Sequence, residues 1–109
     1  MSETYYSPSD LPRFAEVGEN RTDLFEAYQT WSNRVFAEGA LTGKAKFLIA
    51  LSVAHALQCP YCIDAHTQTA RGAGASADEI TEAIHVAAVI RGGATLVHGV
   101  QSLDAMHRH

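Results

Sequence analysis

The sequence predicts an all-α domain of five or six helices. Three observations carry that expectation. Ala, Leu and Glu are plentiful and β-branched residues rarely run together. Apolar residues recur at three- and four-residue steps rather than in alternation. Helix-start signals, at Thr42, Pro60 and Ser76-Ala-Asp-Glu79, divide the chain into helix-sized pieces. With 109 residues, positions 1–109 are expected to form one domain.

The elements follow in order. A short helix is expected after Ser9 or Asp10, with Pro12 in its first turn. A second is expected from about Thr22 to Ala37. Leu24, Ala27, Tyr28, Trp31, Val35 and Phe36 form its apolar stripe, as core or interface packing, and Gly39 is its expected stop. Thr42 caps a third, from about Gly43 to Leu57, which is apolar nearly all round. A helix without a wet face in so small a domain points to cover by another subunit.

Pro60 opens the fourth helix, which is expected to end near Gly72 to Gly74. Ser76 and Glu79 form a capping box for the fifth, carrying Ile80, Ala83, Ile84, Ala87, Ala88 and Ile90. Gly92-Gly93 either ends that helix or marks a close helix crossing, after which the pattern resumes to Leu103. The tail DAMHRH is expected to fray.

Hydrophobic residues make up 47% of the chain, which excludes a disordered polar chain. The net charge of −4 and the presence of only two lysines, Lys44 and Lys46, argue against nucleic acid and anionic membrane surfaces as partners. No stretch is expected to cross a bilayer. The run Phe47 to Leu57 is too short, and Ala83 to Val100 carries His85, Arg91, Gly92, Gly93 and His98. The N-terminus MSETYYSPSD has no signal pattern, so a cytoplasmic location is the expectation.

Chemistry concentrates in His55-Ala-Leu-Gln-Cys59-Pro-Tyr-Cys62-Ile-Asp-Ala-His66. Cys59 falls at the N-cap of the fourth helix and Cys62 one turn inside. A helix N-terminus favours thiolate over thiol. His66, four residues after Cys62, is expected on the same face beside that sulfur. His55, four before Cys59, could serve the other sulfur if the third helix continues that far; it is either a site residue or a satisfied core histidine. Two thiols and a base are the parts needed to reduce a peroxide. Tyr61 and Asp64 could shape the site, or Asp64 could merely complement the helix dipole. His85, His98 and Arg91 read more readily as structural, and His107 and His109 as tail residues.

The stretch Leu48 to Thr67 resembles the signature of the carboxymuconolactone decarboxylase-like superfamily, and within it the alkylhydroperoxidase-D branch. The likeness reaches about Val100, with the motif-bearing part at 41–103. It implies an all-helical fold built into homo-oligomers, commonly trimers or hexamers. It also implies thiol-dependent peroxidase activity on a hydroperoxide substrate, reset by an external thiol or dithiol reductant, with no cofactor and no metal. Carried over, Cys62 would be the peroxidatic sulfur, Cys59 the resolving one and His66 the proton relay. One position departs: the relay Glu directly ahead of the Leu-Ile-Ala run is Phe47 here, and no acid lies from Gly39 to Gln58. His55 is the candidate substitute. Val53-Ala-His-Ala, Ile84-His-Val-Ala-Ala and Arg91-Gly-Gly are similar to arsenosugar-biosynthesis-associated peroxidase-like proteins.

Two other readings stand beside this one. Cys59 and Cys62 with His66, His55 or His85 could hold zinc or a thiophilic metalloid, although no second ligand pair exists. A non-redox lactone decarboxylase would need placed basic residues, and Arg91 is the one expected in the interior.

Overall fold

The computed structural model describes residues 6–108, and these are helical almost throughout. A 3-10 helix, Pro8–Gly18, leads into α1 (Thr22–Phe36), α2 (Gly43–Leu57), α3 (Pro60–Gly72), α4 (Ala77–Val97) and α5 (Gly99–Arg108). The all-α expectation holds, and no strand occurs among the described residues.

Local chemistry explains most boundaries. Thr42 Oγ1 accepts the Ala45 N–H and starts α2. Ser76 and Glu79 complete a reciprocal capping box on α4. Three expectations are corrected. The first helix begins at Pro8, ahead of Ser9 and Asp10, and it is a 3-10 helix. α1 stops at Phe36, where Ala37 turns extended and Lys46 Nζ donates to the Val35 and Ala37 carbonyls, so Gly39 is not its stop. The tail does not fray: α5 runs to Arg108, with His107 in its last turn, while His109 lies outside the described residues.

Gly92 and Gly93 neither end α4 nor sit at a crossing within this chain, since a Cβ at either would meet nothing. Ala77–Arg108 is therefore long and apolar enough to cross a membrane by length and composition, contrary to the sequence reading. Arg91, midway along it, donates to the Ala56 carbonyl at the end of α2, so the helix is tied to the rest of the fold there. Ser52 Oγ donates to the Ala83 carbonyl, and Lys44 pairs with Glu79 at 2.9 Å, fixing α2 against α4 at two further points.

The core lies where α2, α3 and α4 meet, and it is thin. Leu51 is the one large side chain fully buried among the described residues, joined by Ala54, Ala70, Ala75 and Ala87. Apolar side chains stand exposed on α1 (Leu24, Trp31), α4 (Val89, Leu96) and α5 (Val100, Leu103). The chain exposes 8445 Å². A folded monomer of 11.8 kDa exposes about 5,900 Å² by the usual scaling. The radius of gyration is 18.3 Å, where a compact domain of this size has about 13 Å.

Candidate dithiol site

The end of α2 and the start of α3 share residues. Gln58 takes the left-handed conformation, with φ 56° and ψ 46°. Its N–H bonds the His55 carbonyl at 3.1 Å, and the Cys59 N–H bonds the Ala54 carbonyl at 3.2 Å. This pair of bonds is the Schellman stop. Cys59 thus closes α2 with its backbone and, as predicted, caps α3 with its side chain. Its sulfur accepts the Cys62 N–H at 3.3 Å. Pro60, with no N–H to satisfy, holds the first helical position.

Both cysteines are free thiols, half-buried, with sulfurs 2.6 Å apart. The two sulfurs are therefore in direct contact. The electrostatics differ from the sequence expectation at Cys62. Burial, and then the neighbouring Cys59 sulfur, push the Cys62 thiol up to about 11 against the opposing pull of a backbone N–H.

His66 lies one turn further along α3 and lines the same cleft as both sulfurs. Its ring stacks on Phe36 of α1, with centroids 5.8 Å apart, and Phe36 stacks in turn on Phe47 at 5.4 Å. Phe47, standing where the resembled family carries its relay acid, therefore belongs to an aromatic stack leading to the imidazole. His66 Nδ1 is buried and has no hydrogen-bond partner among the described residues. Burial lowers its pKa, so the imidazole is neutral at pH 7.

A cleft of about 750 Å³ opens over the sulfurs. Its floor is α3, with Cys59, Tyr61, Cys62, Ala65 and His66. Its wall is the 3-10 helix, with Leu11, Phe14 and Val17 as the apolar part. Tyr28 lines the same cleft from α1. The wall's one cation is paired with both of its acids: Arg13 donates to Glu16 at 2.8 Å and to Asp10 at 3.2 Å. Asp64 is engaged by two donors, the Tyr6 hydroxyl at 2.8 Å and Gln68 Nε2 at 2.6 Å. Those two bonds hold its carboxyl below the usual carboxylate range. The Tyr6 ring meets Tyr61 edge to face at 4.6 Å.

Not every predicted site residue gathers here. His55 is half-buried on α2 and does not line the cleft. The four-residue rule fails for it because α2 ends at Leu57, between His55 and Cys59. His85 and His98 are exposed on and after α4. Arg91 is exposed rather than interior, its guanidinium committed to the Ala56 carbonyl. Among the described residues no group of three or more His, Cys, Asp or Glu could hold a metal ion. Sequence reasoning missed the wall residues Leu11, Arg13 and Phe14 and the contact made by Tyr6. Pro8 and Pro12 signalled a helix start, but no spacing signal places that segment over the cysteines.

Comparison with known proteins agrees with this architecture. Residues 22–105 match the model of the carboxymuconolactone decarboxylase family. A relative from Paracoccus denitrificans, described as uncharacterized protein 4 in cox locus, is 41% identical over 91% of this chain and 89% of its own. A solved protein from Methanobacterium thermoautotrophicum superposes with a TM-score of 0.73 at 31% identity, over 76% of this chain and 93% of its own. An apo carboxymuconolactone decarboxylase family protein from Legionella pneumophila gives 0.71 at 28% identity, over 93% and 95%.

Proposed function

Because the chain belongs to the carboxymuconolactone decarboxylase family, we propose that it is a thiol-dependent peroxidase, or more generally a disulfide oxidoreductase, working through Cys59 and Cys62. The observation that carries the reading is the contact of two free sulfurs at the start of α3, on the floor of a cleft that also holds a neutral histidine.

Each residue has a part. Cys62 gives its proton to neutral His66 as it attacks the distal oxygen of a hydroperoxide. The O–O bond breaks, the alcohol leaves with the proton, and Cys62 becomes a sulfenic acid. The Cys59 thiol then displaces hydroxide from that sulfur. The products are water and the Cys59–Cys62 disulfide. An external dithiol reduces the disulfide by exchange and resets the pair. A protonated Cys62 is the form that needs a base, which is consistent with its raised pKa and the lowered one of His66.

The working form is a homo-oligomer, a trimer or hexamer. The excess of exposed surface, and the apolar side chains of α1, α4 and α5 within it, support this. Lactone decarboxylation gains no support at Arg91, which is exposed and does not line the cleft.

Mass spectrometry of the reduced protein after one equivalent of cumene hydroperoxide tests the reading. The expected product has lost two hydrogens and yields a Cys59–Cys62 crosslinked peptide. Two unchanged thiols would overturn it.

A further inference from the structure

We propose that residues 6–18 select what reaches the dithiol: Tyr6 is the positioning residue that latches this segment, and Leu11 and Phe14 are the wall that discriminates by polarity. The proposal rests on the dithiol being the reactive site and goes beyond it, because the segment precedes residues 22–105, the part that matches the family model.

Four observations carry it. The first is the latch. Tyr6 meets the turn that carries the sulfurs at two points: its ring lies against Tyr61, which stands between the two cysteines, and its hydroxyl donates to Asp64, two residues beyond Cys62. The second is the opposite anchor. A Cβ on Gly18 would come within 2.4 Å of Phe25, so the end of the segment sits directly on α1. Phe14 adds edge-on contacts to Phe25 and Tyr28. The third is the segment's own weakness. Eleven residues of 3-10 helix are long for that geometry, whose hydrogen bonds are poor, so its two anchors hold it over the cleft.

The fourth is charge. The wall contributes Asp10, Arg13 and Glu16, and the one cation is bonded to both acids. It therefore offers no unspent positive charge to an anion and carries a net negative one, beside apolar Leu11 and Phe14. An uncharged apolar molecule passes such a wall at lower cost than an anionic one.

The test uses thiol alkylation, which requires accessible sulfur but no peroxidase turnover. The reduced full chain is treated with N-phenylmaleimide, or with its carboxylate-bearing analogue, and the rates of thiol loss are compared with those of a free cysteine peptide. The expected wild-type ratio favours the uncharged probe several-fold more than the peptide does. Tyr6→Phe keeps the ring and loses the hydroxyl, and Tyr6→Ala loses both. The anionic probe should accelerate in that order, reaching about tenfold in Tyr6→Ala, as expected for loss of a charge-assisted hydrogen bond and a ring contact. Leu11→Gln should do the opposite, slowing the uncharged probe and sparing the anionic one. Helical circular dichroism of each variant must match wild type. A wild-type ratio equal to that of the peptide would overturn the proposal, as would Tyr6 variants that change both probes by the same factor. Failure of the protein to form a disulfide with cumene hydroperoxide would overturn the peroxidase reading alone.

Discussion

Two turns in this chain are built alike, and only one carries the two thiols. α2 and α3 both end in a left-handed residue flanked by the same two backbone bonds. Gln58 and Cys59 bond His55 and Ala54 in the first, and Gly74 and Ala75 bond Arg71 and Ala70 in the second. Each turn leads into a helix whose cap accepts the N–H three residues on. Ser76 Oγ takes the Glu79 N–H at 3.1 Å, and Cys59 Sγ takes the Cys62 N–H at 3.3 Å. The dithiol therefore occupies the cap and third positions that a capping box fills with Ser and Glu.

The differences are instructive. In the second turn a separate residue, buried Ala75, closes the old helix before Ser76 caps the new one. In the first, Cys59 does both, so its N–H is spent on Ala54 and no reciprocal bond from the third residue is available. The second turn uses glycine for its left-handed residue and the first does not. Left-handed backbone costs a non-glycine residue about 1–2 kcal/mol. The structural turn is relaxed and fully paired, whereas the sulfur turn is shorter and carries that cost.

Substitutions can break this comparison. The largest effect is expected from exchanging sulfur for oxygen at the cap. Cys59→Ser should abolish peroxide turnover while leaving thermal stability nearly unchanged, because serine is a good N-cap. Ser76→Ala should do the reverse, lowering stability by about 1 kcal/mol in a urea titration and sparing turnover. Next is the base. His66→Gln should slow oxidation of the pair by roughly 10²-fold in stopped-flow measurements. The two left-handed positions should then answer with opposite signs. Gly74→Ala should destabilise by about 1–2 kcal/mol. Gln58→Gly should stabilise by only about 0.5 kcal/mol, relief of strain being partly offset by a freer unfolded chain.

The smallest effects come from pH. The folded state binds a proton on His66 less readily than the unfolded chain does, so stability should fall as pH drops below about 6.5. The folded state holds the Cys62 proton more tightly, so stability should fall again as pH rises above about 9. Denaturant midpoints measured from pH 5 to 10 should therefore show a plateau between two declines. A midpoint that climbs steadily to pH 10 would contradict the environment described for Cys62.

Much of this contrast was legible in the sequence, and the reason is locality. Thr42, Cys59-Pro60 and Ser76 with Glu79 act on backbone groups within a few residues, so spacing alone announces them. Gln58 was not legible as a left-handed residue, because that position usually advertises itself with glycine. Nor was the raised pKa of Cys62, because burial is set by the covering segment and not by distance from a helix end. The stack of Phe47, Phe36 and His66 joins three helices, and no single-chain periodicity reports it. The position of residues 6–18 over the cleft depends on contacts such as Tyr6 with Asp64, 58 residues apart.

The thin core has a consequence for how this protein would behave in a test tube. With Leu51 the one large side chain fully shielded among the described residues, a solitary chain has little to hold it against unfolding. If the cover is further copies of the chain, as proposed above, association and folding become one equilibrium, and the melting temperature turns into a function of concentration. Dilution would then act on this molecule as a mild denaturant.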